Sequence, residues 1–375
     1  MQRDHILVEI QDATSAFVKQ LLPAETTSVL RFNKASTARL TVRDSHPAVT
    51  HLIAAGARAV VWMISLDGSV LTKRRLVEGR IGPLEGAGPY GNVTVTVTDD
   101  FSWFTSILGW QDPAAAVTAQ TSEFATYSGP AETRALAVIA AAAARLNLPW
   151  NVPTSTGRGP VGVSRFRMDQ LSTVIDMLTT ARLQLTLERD ATTGRWDVSI
   201  REGSTYARPL TPQSGVLSSW NWSMQPATAT RVVVGGAGSG TDKEYRVVVD
   251  AAREAALGRV LETYVDASDA EPGADLTPYG VEALADSAAK ASVTANLRET
   301  SWFRFPTAYE LGTRLPVQVG PVSMHDLVSE ITVTHANGSG FTVTPRFGFA
   351  DTEPQIRFTK YVAGIAKSVR SLERR

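Results

Sequence analysis

Five histidines, His5, His46, His51, His325 and His335, are the chain's candidate zinc ligands and general bases. None stands in an H-E-x-x-H or H-x-H arrangement able to hold a metal. His46 and His51 are five residues apart on a short helix and share a face poorly. The chain has no cysteine, which excludes disulfides, thiolate metal sites and cysteine nucleophiles together. No G-x-S-x-G elbow occurs. Asp99 with Asp100, and Glu262 with Asp266, have the composition of a glycosidase's acid and base, yet neighbouring acids usually cap helices or face solvent. No catalytic, cofactor-binding or metal-binding residue is assigned on these grounds.

The stretch "VVVGGAGSGTDKEY", residues 232–245, poses the nucleotide question, because glycines after a β-branched run let backbone N–H groups approach a pyrophosphate. Gly235 to Gly240 has the spacing of a Walker loop, but Thr241 and Asp242 stand where Lys and Ser or Thr are needed, and an anion would meet a carboxylate. A Rossmann reading through Gly236 and Gly238 needs a third glycine at Thr241. The following "KEYRVVVD" reads as a strand and offers no helix N-terminus. The loop is expected to be a flexible hinge between a β-barrel and its insert, with Gly238→Ser mild.

Lys73, Arg74 and Arg75 lie on a strand, so Lys73 and Arg75 share one face and Arg74 takes the other. Solvated charge is the leading reading, and a lumen-facing or partner-facing role for Lys73 and Arg75 is the sharper one. Trp220 and Trp222 alternate on a strand and are expected in the core; exposed, they would form the aromatic platform that a receptor or carbohydrate binder needs. Lys plus Arg equals Asp plus Glu at 37 each, so no overall field draws the chain to nucleic acid or anionic membrane. "MQRDHILVEI" lacks a signal peptide's apolar stretch and no run approaches a membrane span. A soluble protein synthesised in a cytoplasm, without stable membrane insertion, is expected.

The elements that must position these residues are mostly strands. With 375 residues the chain exceeds one hydrophobic core, and two to four domains are expected. "HILVEI", "TTSVLRF", "ARLTVR", "ARAVVWMISL", "SVLTKRRLVEGRI" and "NVTVTVTD" carry β-branched alternation, interrupted by the short helix "HPAVTHLIAAG" and closed by a helix over 99–108. "AETRALAVIAAAAARLNLPW" is a strong helix former, and "MDQLSTVIDMLTTA" places Met168, Leu171, Val174, Ile175 and Leu178 on one apolar face. "LQLTLERD" and "RWDVSIRE" read as a strand pair. Strands resume at Ser214, and Asn337-Gly338 signals a hairpin. The expected fold class is multidomain, β-rich α+β: two tube-type β-barrels with an α/β domain between them and an insertion in the second. The boundaries are a first barrel at 1–110, an α/β domain at 111–213, a second barrel at 214–236 and 300–352, an inserted α/β domain at 237–299, and a C-terminal amphipathic helix at 353–375. On that helix Ile356, Tyr361, Ile365 and Val369 form the apolar side, with Arg370, Arg374 and Arg375 near its end.

Two stretches carry a family resemblance. "LRFNKASTARLTVRDSHPAVTHLIAAGARAVVW" followed by "LVEGRIGPLEG" is similar to the opening domain of siphophage baseplate-hub proteins. "TRVVVGGAGSGTDKEYRVVVDAAREAALGRVLETYVDASD", then "YGVEALAD", "YELGTRLPVQV" and "GFTVTPRFGF", resembles the minor tail hub proteins of actinobacteriophages. That family usually has "LGD" where Thr313 here follows Gly312. The resemblance implies a structural virion protein at the distal tail tip, not an enzyme and without cofactor. It implies a homotrimer whose paired barrels adapt threefold to sixfold symmetry, bound to the distal tail ring and tail tube, the tape-measure protein and the tip or receptor-binding proteins. Duplex DNA would pass through it non-specifically. A tail-tip cell-wall hydrolase or a receptor or carbohydrate binder is the alternative.

Overall fold

A computed structural model describes residues 3–67, 70–86, 91–268, 270–336 and 340–348. The chain divides into two compact units, Met1–Trp220 with Thr294–Phe349, and Asn221–Val293 with Ala350–Arg375. The first unit is organised by one twelve-stranded sheet. From edge to edge, eleven strands run Leu217–Gln225, Lys290–Leu297, Gly340–Phe347, Val322–Ala336, Glu25–Arg31, Thr37–Arg43, Asn92–Asp99, Val70–Gly86, Arg58–Asp67, Arg3–Gln11 and Phe17–Leu21; Arg314–Val319 branches off Val322–Ala336. Alternation drives these assignments: Ala38, Leu40 and Val42 are buried while Arg39 and Arg43 face solvent.

The early and late β modules are therefore one sheet. They join where Val322–Ala336 pairs with Glu25–Arg31, from Glu330 opposite Arg31 to Ala336 opposite Glu25. Among the described residues neither module closes on itself through hydrogen bonds, so the expected pair of separate barrels is corrected to two arcs of a shared sheet. The sheet curls enough to bring His5, on one arc, within 6.0 Å of His335 on the other, ring centroid to centroid. The hairpin turn expected at Asn337-Gly338 and the helix expected at 353–375 lie outside the described residues.

The α/β module packs the helices Ala131–Arg145 and Ser172–Thr180 against the antiparallel pair Leu183–Arg189 and Trp196–Glu202. The first helix is alanine-rich, begins after Pro130, carries Glu132 in its first turn and Arg145 in its last, and is followed by Asn147 in a left-handed conformation. Leu171, Val174, Ile175 and Leu178 are buried as read from their spacing. Met168 is not on that helix; its φ of +56° places it in the preceding turn. The helix expected over 99–108 is a 3-10 helix at Asp100–Ser106, and its Phe101 and Phe104 enter the α/β core and not the first β module.

The second unit is a three-stranded sheet, Tyr245–Val249, Arg231–Gly235 and Glu262–Asp266, with the helix Thr277–Asp286 covering the face that carries Val232 and Val234. Arg231–Gly235, expected in the second barrel, pairs instead antiparallel with Tyr245–Val249 and parallel with Glu262–Asp266. Lys290–Leu297, expected in the insert, joins the large sheet.

Candidate functional site

A polar cleft in the first unit holds about 160 Å³ and lies between the β arc and the Leu183–Arg189 strand. Its floor is the acid pair. Asp100 opens the 3-10 helix that follows the strand Asn92–Asp99 and is buried; it accepts a bidentate pair of hydrogen bonds from the buried Arg58 guanidinium, one of them at 3.0 Å, and a third from Trp196 Nε1 at 2.8 Å. Three of that carboxylate's roughly four acceptor positions are thus taken, and Asp100 serves as a joint between modules.

Asp99 sits differently. Its Oδ2 accepts from the Ser36 N–H at 2.9 Å, while Oδ1 is sealed from solvent without a hydrogen-bond partner. Burial pushes its carboxyl up to about 7, and the charge of Asp100 adds to the rise. The folded state therefore resists ionisation that the unfolded chain undergoes from about 4 upward. Stability contributed by the neutral form is full below that pH and is lost as pH rises through 7. The interval from 3.8 to about 7 corresponds to roughly 4 kcal/mol. Melting temperatures of Asp99→Asn and the parent, measured from pH 5 to pH 8.5, should diverge in favour of the variant as pH rises; parallel curves refute the assignment.

The basic cluster is fully engaged. Lys73 Nζ lies 2.7 Å from Glu9 Oε1 and 4.1 Å from the Trp62 ring. Arg74 pairs with Glu310 at 2.8 Å and stacks on Phe305. Arg75 bridges Glu78 at 2.6 Å and Glu188 on the α/β module. The strand register keeps Lys73 opposite Ile64 and Arg75 opposite Trp62.

The remaining sequence candidates are dispersed. His46 Nδ1 accepts from the Ala48 N–H, and among the described residues no three His, Asp or Glu side chains form a metal-ligating group. Burial, then the charge of His5, holds the His335 imidazole below its ordinary value. Glu262 and Asp266 answer to different cations, Arg231 at 3.9 Å and Lys243 at 3.1 Å. Trp220 and Trp222 are 39% and 46% exposed among the described residues, which corrects their expected place in the core: their strand is the sheet's edge. The glycine loop is also corrected. It closes a hairpin inside the second unit, with Gly236 N–H donating to Glu244 O and Glu244 N–H to Ala237 O. Gly238 has φ +94° and a Cβ there would lie 2.2 Å from Asp242 O, so Gly238→Ser is a strained substitution. Thr313, the departure from "LGD", is buried and its hydroxyl accepts from the Glu310 N–H at 2.9 Å, a contact an aspartate would also make.

A family model described as Siphovirus ReqiPepy6 Gp37-like protein matches residues 11–349. The chain belongs to this family. Two solved structures show the same fold. The 43 kDa tail protein of prophage MuSo2 from Shewanella oneidensis is 12% identical, with TM-score 0.52, covering 91% of this chain and 97% of that one. Prophage tail protein gp18 from Listeria monocytogenes EGD-e is 9% identical, with TM-score 0.54, covering 98% and 99%. No curated protein matches the sequence. The chain thus carries a Siphovirus ReqiPepy6 Gp37-like sequence on a fold found in prophage tail proteins. Among the described residues no helix is long and apolar enough to cross a membrane.

In this Gp37-like chain several buried polar residues that link the modules are ones that sequence spacing passes over. Asn33, at φ +50° and 3% exposed, donates from Nδ2 to Leu183 O at 2.8 Å and accepts from the Leu185 N–H at 2.7 Å. It extends the α/β strand by one side chain. Arg182 reaches the buried Asp326 at 3.1 Å, tying the same module to the late arc. Arg58 and Trp196 complete the set around Asp100.

Proposed function

We propose that the chain is a structural, non-catalytic virion protein: the trimeric hub at the distal end of the phage tail. In this reading the two β arcs act as quasi-equivalent wall segments, so that three chains present six. The trimer closes the tail tube, docks on the distal tail ring, anchors the tape-measure and tip or receptor-binding proteins, and opens for non-specific passage of duplex DNA. The α/β module braces the arcs, and the second unit and residues 353–375 supply further surface for the tip partners.

One observation carries the reading. Among the described residues the large sheet is open, with unlike edge strands at Phe17–Leu21 and Leu217–Gln225. Both edges expose large apolar side chains, Phe17 and Leu22 near one and Trp220, Trp222 and Met224 on the other. Such edges are liabilities in a monomer, and unlike edges that join head to tail close into a ring. An assembly of this kind buries more than roughly 2,000 Å².

The test is the mass of the purified chain by light scattering on a sizing column. The expected species is near 121 kDa, three times 40.3 kDa. Lysine at both Phe17 and Trp222 should return it to one chain with its secondary structure intact. A parent that stays monomeric at tens of micromolar overturns the ring.

A further inference from the structure

We propose that the outward face of the second unit's sheet is a binding site for an uncharged polysaccharide, with Tyr264 and Tyr245 as stacking rings and Lys243 and Asp266 as the hydrogen-bonding edge. The face is defined by register. Gly235 pairs with Tyr245 on one side and Asp266 on the other, and Val233 pairs with Val247 and Tyr264. These residues point away from the helix-covered core of Val232 and Val234. Tyr245 is 61% exposed and Tyr264 51%.

The glycine at the mouth of the loop has its reason here. A Cβ on Gly235 would lie 2.0 Å from the Tyr264 hydroxyl and 2.9 Å from Lys243 Cε. The bare Cα is thus the floor on which the phenol and the lysine stem rest. Lys243 Nζ is held 3.1 Å from Asp266 Oδ1 and 5.9 Å from the centre of the Tyr264 ring. Asp266 is itself fixed by the Ser268 hydroxyl at 3.1 Å. A ring laid against the sheet beside a fixed donor and acceptor matches a pyranose. Its C–H face is weakly positive and suits the π face, and its rim of hydroxyls both donates and accepts.

Charge selects the class of ligand. Lys243 is balanced by Asp266, and Arg231 by Glu254 and Glu262, so the face has no field for an anionic polymer. An apolar protein partner would suit Val247 and Val249 but would have to desolvate the Lys243–Asp266 pair.

Affinity electrophoresis of the full chain through gels containing mannan, dextran or a β-glucan tests the site. At least one should retard the chain, and 0.5 M NaCl should leave the retardation unchanged. Tyr264→Ala should weaken it about tenfold, the loss of one stacked ring. Tyr245→Ala and Lys243→Met should weaken it severalfold, while Trp110→Ala, in the first unit, should leave it intact. Melting curves identify any variant that fails to fold, and the remaining ones then carry the comparison. No retardation by any of the three polymers, equal retardation of the folded tyrosine variants, or retardation abolished by salt each overturns the proposal. The inference is independent of the ring: a monomer that binds supports it, and a trimer that does not bind refutes it alone.

Discussion

Asp100→Ala is expected to destabilise the first unit by about 3–5 kcal/mol, because it leaves the Arg58 guanidinium buried without its counter-charge. The loss is not the worth of the pair, since forming it required desolvating both ions. A double replacement, Arg58→Met with Asp100→Leu, should therefore recover most of the stability, a coupling that a double-mutant cycle reads directly. Trp196 reports locally, as its indole N–H donates to Asp100. Urea unfolding followed by tryptophan fluorescence should show the midpoint fall in the single variant and return in the double. A single variant within about 1 kcal/mol of the parent would mean that water reaches Arg58 and that the joint is not dry.

Asn33→Gly should cost about 2–3 kcal/mol, and Asn33→Ala about 1 kcal/mol more. Glycine keeps the left-handed backbone and removes only the side chain, so the first figure isolates the loss of its three contacts, to the Leu183 C=O, the Leu185 N–H and the Thr179 hydroxyl. Alanine adds the strain of a Cβ at φ +50°. Hydrogen exchange is the sharper readout: the Leu185 amide should lose protection in both variants while the Leu40 amide, on a strand of the β arc, keeps it. Equal protection of Leu185 in parent and variants would show that solvent replaces Asn33 without penalty.

Local pattern made much of this fold legible and non-local pairing did not. The alternation of "TARLTVR" and "NVTVTVTD" suffices to place buried and exposed faces, and the alanine run after Pro130 suffices for a helix. Periodicity cannot say which strand neighbours which, so two β modules in sequence became one sheet in space through Val322–Ala336 and Glu25–Arg31. Nor can it say whether a shared face is covered: Trp220 and Trp222 do lie on one side of their strand, and both are exposed among the described residues. Met168 fits a helical stripe by count, but its left-handed φ sets it in the turn ahead of the helix Ser172–Thr180. The failure of the phosphate-loop motif was legible from Thr241 and Asp242, whereas the role of Gly235 was not, because it depends on a tyrosine from a strand that arrives later in the chain. Arg58 and Asp100 are 42 residues apart, and no spacing rule joins them.

The pairing of Glu25–Arg31 with Val322–Ala336 also sets a timetable for synthesis. About 300 residues separate the partners, and at roughly 5–20 residues per second the early strand waits some 15–60 seconds on the ribosome for its neighbour. The second unit's described strands and helices from Arg231 to Asp286 can all form before the late strand emerges. During that interval the waiting strand is an open template beside its partner Thr37–Arg43. Its sequence, "ETTSVLR", begins with an acid, ends with a base and carries three hydroxyls, so the edge that waits longest is also poor in the apolar runs that nucleate aggregation.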